Sequence, residues 1–165
     1  MEFLLSLLPS LFVLGLAAIA AAVLARSRPS PAAGAVQRLA AANALAVTLV
    51  IQGGHFAEEA STGFPERLGI LLGLPAMPMS FFLAFNLAWL VIWIASIAGI
   101  RSGRTLAFFA AWFLAITGMF NAIAHPLLAI AAGGYFPGLI TSPIIGAAAV
   151  WLWRRLRAAT QPAPY

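Results

Sequence analysis

The sequence predicts an all-α protein, a polytopic membrane helix bundle of five transmembrane helices with a short interfacial segment between helices 2 and 3. Three observations predict it. The 165 residues are 63% hydrophobic and 8% charged, whereas about 25% of the residues of soluble domains are charged. Five apolar runs approach the ~20 residues that cross a hydrocarbon core of about 30 Å. All nine basic residues are arginines, nearly all in the short gaps between those runs. That distribution is a topology signal, and it offers no basic face for nucleic acid. The chain has no cysteine, which excludes disulfides, thiolate catalysis and thiolate metal ligands. A metal site would have to use histidine, carboxylate or carbonyl oxygen.

The first run, 3–25, is long enough to span. A signal peptide would carry positive charge ahead of its apolar region; here Glu2 precedes the run and Arg26 and Arg28 follow it, so it reads as a retained span. Residues 26–37, rich in Pro, Ser and Gly, read as a loop, and a second span follows over 38–60. The stretch 64–77 is too short to cross and is broken by Pro65, Gly73 and Pro75, so it reads as an interfacial or re-entrant piece. Spans at 79–100, 105–132 and 135–153 complete the bundle, with Arg154, Arg155 and Arg157 closing the last and a short polar tail after it. No internal repeat is visible, and the whole chain, 1–165, reads as one integral membrane domain.

Orientation follows from the arginines. In a five-span arrangement Arg26, Arg28, Arg38, Arg101, Arg104, Arg154, Arg155 and Arg157 share one side, and Arg67 alone lies on the other. The positive-inside rule then places the N-terminus outside and the C-terminus in the cytoplasm. The Ala- and Arg-rich, Lys-free composition suggests a bacterial chain, hence the bacterial cytoplasmic membrane.

The chemistry gathers at His55-Phe56-Ala57-Glu58-Glu59, which holds two of the four carboxylates and one of the two histidines. Thr48, Gln52, His55 and Glu59 follow spacings of four, three and four, a polar stripe on one helix face, with Glu58 close to it. Thr117, Asn121 and His125 repeat the pattern in the fourth span. His55 lies 17 residues past Arg38 and His125 lies 21 past Arg104, roughly 26 Å and 32 Å along parallel helices. Both histidines should therefore arrive near the outer boundary at similar height. Asn86 in the third span, and Tyr135, Pro137, Gly138 and Thr141 at the start of the fifth, can reach the same volume.

An ionisable side chain in a membrane helix costs about 2.5–3.5 kcal/mol even on the lenient insertion scale and marks a functional site by default. Two adjacent carboxylates need a proton, His⁺, Arg67 or a metal cation beside them. The competing structural reading is an interfacial cap, with Glu66 and Arg67 completing a surface charge cluster. Trp151 and Trp153 read as interface anchors, Trp89, Trp93 and Phe108 as packing or lipid contacts, and Gly146 and Ala147 as points of close helix approach.

The motifs HFAEE (His55, Glu58, Glu59), NAIAH (Asn121, His125) and YFPGLIT (Tyr135, Pro137, Gly138, Thr141) together resemble the HXXEE-motif family of small membrane proteins, over about residues 39–153. The resemblance implies a five-span membrane protein with a His/Glu metal or catalytic site, without a settled activity.

Three chemistries fit these residues. In the first, His55, His125 and Glu58 or Glu59 bind a divalent metal, zinc or iron, the ligand set of catalytic zinc sites and of non-haem iron oxygenases. The second glutamate would act as general base, with Asn121 or Asn86 polarising a substrate oxygen. This describes a hydrolase or oxidoreductase acting on a lipid or another lipophilic small molecule of the outer leaflet. In the second, His55 and Glu59 move protons without metal, as an isomerase or cyclase. The third is non-enzymatic: a proton-coupled carrier, or a haem or ligand held between His55 and His125.

Overall fold

The computed structural model describes residues 1–31 and 34–161, and among these the chain is entirely helical, without strands. The helices are α1 (Glu2–Ser27), α2 (Ala35–Ser61), α3 (Phe64–Leu72), α4 (Met79–Arg101), α5 (Thr105–Ala131) and α6 (Ser142–Ala159). The loop expected over 26–37 is non-helical at Arg28–Pro31 and again at Gly34; Ala32 and Ala33 lie outside the described residues. So does the polar tail beyond Gln161.

Four helices, α1, α2, α4 and α5, are long and apolar enough to cross a membrane, against the five expected. The segment expected as the fifth span divides in two. Gly133 and Gly138 adopt left-handed backbone (φ 70° and 85°), a conformation natural to glycine, so residues 133–141 form turns and the helix starts at Ser142. At its other end α6 carries Arg154, Arg155 and Arg157, which leaves a short apolar stretch between. The expected short segment is α3, nine residues long, with Pro65 in its first turn and left-handed glycines at both ends, Gly63 and Gly73. Pro126, directly after His125, does not end α5, which continues to Ala131.

Helix α5 packs against α1, α4 and α6, and α2 packs against α4 and α6. Small residues set the closest approaches, as the sequence suggests for Gly146. A Cβ on Gly146 would strike the Cβ of Ala122, and one on Gly118 would lie 2.8 Å from that of Ala149. Without side chains at these points α5 and α6 come close enough for extensive van der Waals contact, which drives helix association in lipid. Ala17, Ala21 and Ala25 of α1 join the same buried cluster as Ala107, Ala110 and Ala111 of α5. Trp153, half-buried, packs its ring against Trp112, with ring centroids 4.8 Å apart.

The arginine-bearing ends converge. Arg28 donates to Thr160 Oγ1 (3.3 Å) and to its carbonyl (3.1 Å), and Ser30 donates to the Ala159 carbonyl. Arg38 donates to the carbonyls of Arg101 (3.2 Å) and Pro31 (2.6 Å). At the opposite end the residues just before α6 meet the last turns of α2. Helix α6 therefore runs antiparallel to α2 through the same layer, from Thr141 beside Glu58 to Thr160 beside Arg28.

Candidate metal centre

Helical repeat delivers the polar residues in pairs one turn apart. His55 and Glu59 come from α2, Asn121 and His125 from α5, and the two pairs interlock. Glu59 Oε1 lies 3.7 Å from His55 Nε2 and 3.4 Å from His125 Nε2. The three residues form a group whose ligand atoms all lie within 4.8 Å of one another, and which can hold a metal ion. They are 0%, 2% and 7% exposed for His55, His125 and Glu59. A tetrahedral metal with bonds of about 2.0–2.1 Å separates its ligand atoms by about 3.3 Å, so both N–O distances are close to what such an ion requires.

Hydrogen bonds dictate which nitrogen of each ring faces the centre. His125 Nδ1 lies 2.6 Å from the Pro137 carbonyl, and a carbonyl only accepts, so Nδ1 carries the hydrogen, and in the neutral ring Nε2 is the lone pair. The Thr141 hydroxyl donates to Glu58 Oε2 (2.5 Å), so at 2.7 Å from His55 Nδ1 it must accept from that nitrogen. His55 Nε2 is then also a lone pair, which receives the Asn121 amide Nδ2 at 3.1 Å. Two imidazole nitrogens and a carboxylate oxygen thus converge; the single lone pair of His55 Nε2 serves either the Asn121 amide or a metal ion, so an ion bound there would displace that amide. An anchored Nδ1–H on each histidine is the support expected around metal-ligating imidazoles, because it sets tautomer and ring direction.

Glu58 departs from its expected place in the ligand set. Adjacent residues on a helix point about 100° apart, so when Glu59 turns into the bundle Glu58 turns toward the segment before α6. It accepts from the Tyr135 hydroxyl (2.8 Å), the backbone N–H groups of Ile140 (3.1 Å) and Thr141 (2.9 Å), and the Thr141 hydroxyl. Its carboxylate thereby orders the 135–141 turn and, through Thr141, the His55 ring. Of the residues expected in the site, Tyr135 acts on Glu58 alone, whereas Thr141 joins Glu58 to the His55 ring. Arg67 donates to the Tyr135 carbonyl (3.0 Å), which ties α3 to the same turn.

Two supporting residues were legible only as motif members. Pro137 supplies the carbonyl that orients His125. Gly138 lies against both rings: a Cβ there would strike His125 Cε1 and lie 3.0 Å from His55 Cε1. The imidazoles themselves touch edge to face, centroids 4.8 Å apart and planes at 90°, which leaves a porphyrin no room between them.

Below the group opens a chamber of about 720 Å³ whose wall includes Glu59 and His125. Asn86, expected to reach the site from the third span, lines this chamber and donates its amide to the Phe82 carbonyl (2.9 Å). Trp89 and Trp93, expected as packing or lipid contacts, also line it; Trp93 still donates to the Ala110 carbonyl (2.9 Å).

Thr141→Val keeps the side-chain shape and removes the hydroxyl that links Glu58 to His55. Loss of such a supporting contact typically weakens metal affinity about 10–100-fold, and a drop of that size is expected in zinc titrations against a competing chelator. Unchanged affinity would show that Thr141 does not orient the His55 ring.

No family model, curated protein or solved structure matches this chain.

Proposed function

We propose that the chain is an integral membrane metalloenzyme, in which His55, His125 and Glu59 hold one divalent cation, zinc or iron, next to a chamber for a lipophilic substrate. One observation carries the reading: three buried acceptor atoms, two of them on histidines whose other nitrogen is anchored, converge within bonding reach of a single ion. Two histidines and one carboxylate leave coordination positions open, as catalytic zinc and non-haem iron sites do. The cation would supply Lewis acidity toward an oxygen of substrate or water. The chain's own part is to hold both imidazoles correctly turned, to exclude bulk water, and to present the Asn121 amide beside the reacting oxygen. Glu58 is a positioning residue that acts through Thr141. The reaction class is a hydrolysis or an oxidation of a lipid or similar molecule, and the likeness of the three motifs to the HXXEE-motif family belongs to the same proposal.

Elemental analysis of protein purified without chelator tests the centre. About one divalent ion per chain is expected, with a large loss in Glu59→Gln, which replaces the shared carboxylate oxygen by an amide. Metal-free wild-type protein would overturn the metalloenzyme. His55 and Glu59, one turn apart, would then be read as a proton-transfer pair for an isomerase or cyclase.

The proposed setting is the bacterial cytoplasmic membrane, with the N-terminus outside. In this arrangement α6, with residues 136–138 of the turn at its outer end buried against protein, makes a fifth crossing; non-helical backbone is tolerated at depth where protein satisfies it. The absence of cysteine makes single-cysteine labelling direct. Glu66→Cys is expected to react with an impermeant thiol reagent added to intact cells, and Ser102→Cys only after permeabilisation. The reverse pattern would invert the topology.

A further inference from the structure

The chamber is elongated and two-faced. On α4 its lining runs from Phe81 to Trp93, twelve residues or about 18 Å of helix. One end is Glu59 and His125; the other is the stack of Trp89 on Phe113, centroids 4.4 Å apart, with Trp93 beside it. The aromatic wall of α4 is opposed by a polar line from α2 and α5, namely Gln52, Thr117 and Asn121. The volume, about 720 Å³, falls inside the range of about 300–1,000 Å³ for single small-molecule sites.

Gln52 is the informative residue in this wall. It is 7% exposed, it lines the chamber, and its side-chain amide makes no hydrogen bond to any described residue and keeps its accessible surface toward the chamber. Thr117 returns its hydroxyl to the Phe113 carbonyl (2.9 Å), so its donor is occupied, and Asn121 gives one of its two amide N–H groups to His55. The Gln52 amide has both a donor and an acceptor to offer, seven residues before Glu59 on the same helix face, about 10 Å from the centre along the axis. A buried amide in an apolar wall is costly unless something pairs with it. A wholly hydrocarbon occupant would leave it unpaired.

We infer that the chamber binds a single-chain lipid whose reacting end lies at Glu59 and His125 and which carries a hydroxyl or carbonyl oxygen partway along the chain, paired with Gln52. Gln52 is then the residue that selects among lipophilic chains: it rewards an oxygen function about 10 Å from the reacting end and disfavours chains without one. The inference rests on the substrate side of the proposed function and needs no metal in the centre.

The test uses the full chain in nanodiscs, with cis-parinaric acid as a fluorescent occupant excited by energy transfer from Trp89 and Trp93. Stearate and a mid-chain hydroxystearate serve as competitors. Saturable transfer is expected, with the hydroxystearate displacing the probe at a concentration at least about tenfold below stearate, the order of discrimination that one matched hydrogen bond supplies. In Gln52→Leu, probe binding should persist while the preference collapses to within about twofold. Equal displacement by both competitors in wild type would overturn the role of Gln52. Absence of saturable transfer, in a protein whose circular dichroism is intact, would overturn the chamber as a lipid site. Metal analysis of the same wild-type preparation separates the two readings. A preference retained by wild-type protein that was purified without chelator and contains no metal sinks the metalloenzyme without touching the chamber, and metal-loaded wild-type protein with no binding does the reverse.

Discussion

Alanine at His55 or at His125 is expected to strip the divalent ion from the purified protein and to abolish turnover, while insertion and helix content are retained. Removing a supporting partner of a ligand costs about 10–100-fold in metal affinity; removing the ligand itself takes one of three donor atoms from the centre and should exceed that. The two substitutions should fall together because the centre is shared: Glu59 Oε1 faces both Nε2 atoms, at 3.7 and 3.4 Å. Each also takes a partner from polar groups at the site, the Asn121 amide and the accepting side of the Thr141 hydroxyl in one case and the Pro137 carbonyl in the other. That costs about 1–3 kcal/mol of stability, modest beside the helix packing that remains. Metal content and size-exclusion profile, measured on the same preparations, decide it. Stoichiometric metal in either single mutant would break the shared centre.

Gly138→Ala is expected to disable the centre nearly as completely, although Gly138 offers no side-chain ligand. Its φ of 85° is left-handed, which costs a residue with a Cβ about 1–2 kcal/mol. The added methyl would strike the His125 ring at Cε1 and Nδ1 and press on His55 Cε1. Neither ring can yield freely, because each Nδ1 is held, one by the Pro137 carbonyl and one by Thr141. The rings must therefore swing, carrying Nε2 away from Glu59, and metal sites tolerate only about 0.2 Å of error in ligand distance. We expect metal binding reduced by at least about 100-fold, beyond the 10–100-fold of a lost supporting contact, with a stability loss of about 1–3 kcal/mol typical of overpacking. Gly133→Ala is the matched control, since its φ of 70° is also left-handed and a Cβ there meets nothing within 4 Å. Full metal occupancy in Gly138→Ala would show that the rings do not depend on this contact.

The meeting of His55, Glu59 and His125 was legible from spacing. Period and depth are properties of single helices, and two parallel helices of similar length bring equal depths together. The separation of Glu58 from Glu59 was not, because a one-residue step turns a side chain by about 100° and which of the two faces the bundle depends on where the neighbours pack. The role of Gly138 was out of reach for the same reason: a glycine states that space or positive φ is needed, and says nothing of what fills the space. Trp89 and Trp93 read as packing because composition cannot tell a chamber wall from a lipid-facing or core stripe.

What this sequence determined by itself is the helical membrane bundle, the short segment at 64–77, the arginine-rich ends and the two polar stripes, since each follows from local composition and a period of 3.6 residues. The fate of residues 133–141 was decided only by tertiary structure. There the chain abandons the expected span to wrap Glu58, lends a carbonyl to His125 and enters α6 late. The physical reason is that the backbone N–H and carbonyl groups of that turn find partners on α2 and α5, and no window of sequence contains both sides of those bonds.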